Sequence, residues 1–110
     1  MANYNLIRGD VWNGESFTIT ATGYDFSAAP VIVKIQVRDK PDGTIYYSDF
    51  PTPSYPSLGT MTFSVAFLGT DTDAFPAQVL VSDIRIYGPG FGPYTVRSYQ
   101  FNVAKDATQI

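Results

Sequence analysis

The chain has 110 residues, 45% hydrophobic and 15% charged, with 7 Lys and Arg against 10 Asp and Glu for a net charge of −3. This length and apolar share suit one domain with one core, and the 9 Gly, 8 Pro, 8 Tyr and 8 Phe argue against a disordered, collagenous or coiled-coil chain and for β-structure with many turns. His and Cys are both absent, which removes the usual acid–base group near neutral pH, the thiol nucleophile and disulfide bonding.

The first predicted element is a weak strand from Tyr4 to Arg8, and Asn13-Gly14 marks a turn. Phe17, Ile19 and Ala21 then alternate with Thr18, Thr20 and Thr22, a half-buried strand with a threonine-rich solvent face. After a turn-rich stretch from Gly23 to Pro30, Val31, Val33, Ile35 and Val37 alternate with Ile32, Lys34, Gln36 and Arg38, the strongest strand pattern in the chain. Pro41-Asp42-Gly43 reads as a hairpin turn, Pro fixing one φ and Gly accepting a positive one. It leads to a weak strand from Thr44 to Phe50. Pro51 to Gly59 carries turn signals, and within it Pro51 to Pro56 reads as a stiff, extended loop with Tyr55 at its centre. Met61, Phe63, Val65 and Phe67 alternate with Thr62, Ser64, Ala66 and Leu68. Thr70 to Phe75 suits one helical turn, with Thr70 or Asp71 as its N-cap. Leu80, Ser82, Ile84 and Ile86 alternate with Val79, Val81, Asp83 and Arg85. Gly88 to Tyr94, with three Gly and two Pro, is a surface connection. Tyr99, Phe101 and Val103 alternate with Ser98, Gln100 and Asn102 in a last strand.

About seven short strands in this length are the pattern of an all-β fold, an immunoglobulin-like antiparallel β-sandwich, with a small barrel as rival. Residues 1–110 read as one such domain. Val33, Ile35, Phe63, Val65 and Phe101 are expected to be nearly fully buried, on opposing sheets.

The cations are spread from Arg8 to Lys105 without a cluster, so neither nucleic acid nor an anionic membrane surface is an expected partner. No apolar run approaches the roughly 20 residues that span a bilayer. The N-terminus does not read as a signal peptide, and the expected place of synthesis is the cytoplasm. The nine Asp and one Glu, Glu15, leave a carboxylate pair as the one conceivable catalytic device. Most of these Asp, including Asp25, Asp42 and Asp106, sit in turns, where Asp bonds its own backbone. No catalytic residue, cofactor or metal is therefore assigned. Asp71 and Asp73 resemble a fragment of a calcium loop, but the required Gly and Glu do not follow. Arg8-Gly9-Asp10 matches an integrin-recognised tripeptide, but so short a match arises often by chance, and Gly9 and Asp10 read as a natural turn between a first strand and a second. The aromatic-bearing loops supply the candidate interaction residues: Tyr55 in the Pro-rich stretch, and Phe91 and Tyr94 in the Gly-rich one. Phe91 is expected either exposed or folded back to cap one end of the sandwich. Tyr46 and Tyr47 join them, on an apolar strand whose only charge is Asp49.

The order of several short motifs resembles the small β-sandwich domains of tailed-bacteriophage tail, baseplate and fibre-associated proteins. These motifs are Arg8-Gly9-Asp10-Val11-Trp12, Phe17-Thr18-Ile19, Tyr24-Asp25-Phe26 and Val37-Arg38-Asp39. They continue with Thr72-Asp73-Ala74-Phe75-Pro76-Ala77, Ser82-Asp83-Ile84, and the closing Phe101-Asn102-Val103-Ala104-Lys105-Asp106-Ala107-Thr108. The resemblance covers nearly the whole chain. It implies a virion structural protein, assembled in the host cytoplasm, that docks on other virion proteins and on copies of itself without catalysis. The alternative expectation is a carbohydrate-binding module that stacks sugars on Trp12, Tyr46, Tyr47, Tyr55 and Tyr94.

Overall fold

The computed structural model describes residues 1–105, so Asp106 and the end of the closing motif lie outside the described residues. Alternating apolar residues form strands because each pleat sends successive side chains to opposite faces. The strands are β1 (Ala2–Ile7), β2 (Trp12–Thr20), β3 (Ile32–Arg38), β4 (Ile45–Asp49), β5 (Ser54–Ser57), β6 (Thr60–Phe67), β7 (Val79–Gly88) and β8 (Phe91–Ala104), with one helical turn, α1 (Gly69–Thr72). A five-stranded sheet runs in the order β1-β8-β7-β3-β4 and a three-stranded sheet in the order β2-β6-β5. The chain crosses between sheets after β1, β2, β4 and β6, the alternation of an immunoglobulin-like sandwich.

Eight strands stand where about seven were expected. The additional one is β5, inside the Pro-rich stretch that reads as a loop. All four of its residues are exposed, so it shows no alternation, and pairing with β6 alone makes it a strand. Nor is every pair antiparallel, since β1 runs parallel to β8, with Tyr4 opposite Phe101 and Leu6 opposite Val103.

Val33, Ile35 and Phe101 of the larger sheet face Phe63 and Val65 of the smaller one, and all five are at most 4% exposed. Ser82 is the buried polar exception on β7, and its hydroxyl donates to the Gln36 carbonyl at 2.6 Å. That bond offsets the penalty of placing a hydroxyl among apolar neighbours.

Two turn readings need correction. Asn13-Gly14 is not a hairpin turn but a β-bulge inside β2, where the register shifts between Trp12 and Glu15. Gly14 has φ +76°, and a Cβ there would collide with the Val65 carbonyl. The extra residue resets the phase, so Trp12, Glu15, Phe17 and Ile19 stand opposite Phe67, Val65, Phe63 and Met61 in turn. In Pro41-Asp42-Gly43 the positive φ, 61°, belongs to Asp42. Gly43 is needed for space instead, because a Cβ there would overlap the Asp39 carboxylate that accepts the Thr44 N–H at 2.9 Å.

Candidate functional site

The Arg8-Gly9-Asp10 turn is clamped to α1. Thr72, fully buried, donates its hydroxyl to the Asp10 carbonyl at 2.7 Å and accepts the Gly9 N–H at 3.1 Å. Arg8 donates from Nη2 to the Asp73 carbonyl at 3.1 Å. The tripeptide is thus tied down along its backbone as a structural corner. The N-cap position falls on Leu68, not on Thr70 or Asp71. Asp71, at the third helical position, accepts the Leu68 N–H at 2.8 Å, which places its carboxylate where the positive end of the turn favours it.

Glu15, the only glutamate, joins the two sheets. Tyr99 of β8 donates its hydroxyl to Glu15 Oε1 at 2.8 Å, and Arg97 Nε lies 3.4 Å from the same oxygen. Burial, then the hydrogen bond to Glu15, holds the Tyr99 phenol well above its ordinary range. Asp25 behaves as a turn aspartate, accepting from the Ser27 hydroxyl at 2.6 Å, the Ser27 N–H at 3.0 Å and the Ala28 N–H at 3.3 Å. Those bonds, the Ser27 hydroxyl first, lower its pKa.

Three of the five candidate aromatics converge at one end of the sandwich. Phe91 folds back, its ring centroid 5.0 Å from Tyr24 and 5.6 Å from Phe26, and Tyr94 leans on it edgewise at 5.2 Å. Tyr55 lies parallel to Phe26 at 6.4 Å. The Tyr24 hydroxyl donates toward the carbonyls of both Ala29 and Pro89 and ties the Gly-rich hairpin down. Phe91 is therefore a half-buried cap, whereas Tyr94 and Tyr55 remain 57% and 38% exposed. Tyr24 and Phe26, which complete the cluster, are not among the candidates read from sequence. A shallow hollow of about 270 Å³ beside it is lined by Asp25, Phe26, Ser27, Tyr55, Ser57 and Leu58.

Tyr46 and Tyr47 lie elsewhere. The Gly-rich hairpin sits beside Ile32 at the start of β3, while Tyr47 stands opposite Val37 near its end, about 17 Å along the strand. Tyr47 turns inward, its ring edge-on to Phe67 at 4.9 Å and its hydroxyl 3.4 Å from Asp49. Burial, then the Asp49 charge, pushes its phenol up to about 12. Tyr46 is the extra residue of a bulge between β3 and β4 and is half-buried against the core. The exposed apolar groups of this edge are Ile45, at 46%, and Phe50, at 56%. Trp12 is 9% exposed, packed on Tyr4, Phe67, Tyr99 and Phe101, and cannot offer a stacking face to a sugar.

No known protein family and no curated protein matches this chain. Among the described residues, no helix is long and apolar enough to cross a membrane.

Proposed function

We propose that the chain is a bacteriophage virion structural protein, a tail, baseplate or appendage component that docks on other virion proteins and on copies of itself. The observation that carries this reading is β4, which ends the five-stranded sheet with one side unpaired. Edge strands are normally shortened or guarded by Lys, Pro or a cover. In the smaller sheet the edge strand β5 follows that rule, with four residues and Pro56, and the other edge, β2, is broken by the bulge at Gly14 and carries Glu15. In contrast, β4 has no Pro and no Lys, and exposed Ile45 and Phe50 flank its half-buried tyrosines. The bulge at Tyr46 interrupts the ladder, which disfavours endless strand addition and suits a closed ring or trimer. The resemblance of the ordered motifs to those of phage β-sandwich domains supports the virion setting.

Tyr55 and Tyr94 form a second contact surface, backed by the rigid Tyr24–Phe26–Phe91 cluster. Rigid aromatics contribute interface area at low entropic cost. Light scattering of the protein, alone and mixed with candidate tail proteins, tests the reading. A closed oligomer or a stoichiometric complex, abolished by Ile45→Lys, is expected. A strict monomer that binds no virion protein would overturn it.

A further inference from the structure

The outer face of the five-stranded sheet carries a charge pattern that packing does not explain. Lys34 of β3 stands directly opposite Arg85 of β7. Like charges so placed repel and weaken a sheet. Acids outnumber bases in this chain, yet the one ion pair within 4.0 Å among the described residues is Arg97–Glu15, on another face. Lys34 is nevertheless held in place, its Nζ 5.5 Å from the Phe50 ring centroid. The two cations border a hollow of about 430 Å³ that Gln36, Asp83, Tyr87 and Pro93 complete. A second hollow of about 390 Å³ shares Gln36, Asp83 and Arg85 and continues to Val81, Arg38 and a second carboxylate, Asp42. Together they follow β7 from Val81 to Tyr87, about 20 Å.

We propose that this trough binds an acidic polysaccharide of the uronic-acid class. A sugar carboxylate is recognised by the unpaired Lys34 and Arg85, whose mutual repulsion it relieves. Tyr87 and Pro93 present apolar surface to a sugar ring. Asp83 offers acceptors to ring hydroxyls, and Gln36, whose Oε1 accepts from Arg38 Nη2 at 3.0 Å, has one further lone pair to offer. Asp83 is what distinguishes the ligand: a bare phosphate or an acidic peptide brings it no hydroxyl donor, whereas the ring hydroxyls of a uronate can donate to it while the carboxylate meets the cations. The trough's length suits a chain of several sugars. The trough adjoins both docking surfaces, through Phe50 beneath Lys34 and through Pro93 next to Tyr94, but Lys34, Gln36, Asp83, Arg85 and Tyr87 belong to neither, so variants at these five test the site apart from docking.

The test is an NMR titration of the ¹⁵N-labelled full chain with tetragalacturonate, maltotetraose, acetate and short polyglutamate. Tetragalacturonate should shift the amides around Lys34, Gln36, Asp83, Arg85 and Tyr87 at millimolar concentration, and the other three should not. Arg85→Gln and Lys34→Gln should each weaken binding at least about tenfold, the loss of one charge-assisted donor. Arg85→Gln should keep or raise the melting temperature, because it removes the repulsion without touching the Lys34–Phe50 contact. Tyr87→Ala supplies an independent variant that leaves the charges intact and should also weaken binding. The proposal is overturned if tetragalacturonate shifts nothing, or if acetate, polyglutamate or maltotetraose produces the same shifts. It is equally overturned if the three variants bind within about twofold of the parent.

Discussion

Replacing Phe67 with alanine strikes the point where both sheets and α1 meet. The ring is fully buried, with centroids of Trp12 and Tyr47 at 4.9 Å and of Phe75 and Phe101 at 5.4 Å. Truncating a buried Phe costs about 3–5 kcal/mol in lost transfer energy plus the cavity left behind. Each aromatic pair adds about 0.5–1.5 kcal/mol beyond its area, so the upper end of that range applies. A domain of this size has roughly 5–15 kcal/mol in hand, and the variant should be marginally folded. With a urea dependence of about 2 kcal/mol per M, the midpoint should fall by about 2.5 M at unchanged slope. Phe17→Ala is the control. That ring is only half-buried and has one aromatic partner, Phe63, at 5.2 Å, so its shift should be about half as large. A Phe67→Ala midpoint within about 0.5 M of the parent would refute the assigned core.

Alkaline titration should destabilise the fold. The Tyr99 and Tyr47 phenols are raised above the ordinary value of 10.0, so the stability they contribute is fully present below pH 10 and is lost as pH rises above it. Melting temperatures between pH 9 and 12 should fall, and less steeply for Tyr99→Phe; parallel curves would contradict the Glu15–Tyr99 link between the sheets. Gly14→Ala should destabilise by more than about 2 kcal/mol, because it combines a positive φ with a backbone collision, whereas Gly90→Ala, at φ +65° in open space, should cost about 1 kcal/mol. Chemical denaturation that ranks the two the other way would remove the bulge argument. Thr72→Val should cost about 1–3 kcal/mol by leaving the Gly9 N–H and the Asp10 carbonyl without their partner, and amide exchange of Gly9 should accelerate. Unchanged exchange there would mean that α1 does not hold the corner.

The strands that stood out in the sequence are those whose two faces differ in polarity. In β6 the buried Met61, Phe63, Val65 and Phe67 alternate with Thr62, Ser64 and Ala66, and the period survives without tertiary information. The first half of β2 was hidden because the bulge at Gly14 shifts the alternation by one residue, which also obscured the inward turn of Trp12. Strand β5 was hidden because its pairing runs entirely through the backbone. The grouping of the candidate interaction residues was only partly legible for a different reason. Composition marks Tyr55, Phe91 and Tyr94 as loop aromatics, but their grouping with Tyr24 and Phe26 depends on contacts between distant segments. The juxtaposition of Lys34 and Arg85 depends on the β3–β7 register, which no local pattern encodes. Asp42 and Gly43 exchanged their expected roles because Asp tolerates a left-handed turn and only Gly leaves room for the Asp39 carboxylate.

The central claim is that this chain is built into a virion, and the protein composition of purified phage particles tests it most directly. Quantitative mass spectrometry of gradient-purified particles should find the chain in a fixed, small whole-number ratio to the tail or baseplate proteins. Its absence from those particles, while it is abundant in the lysate they came from, would contradict the account.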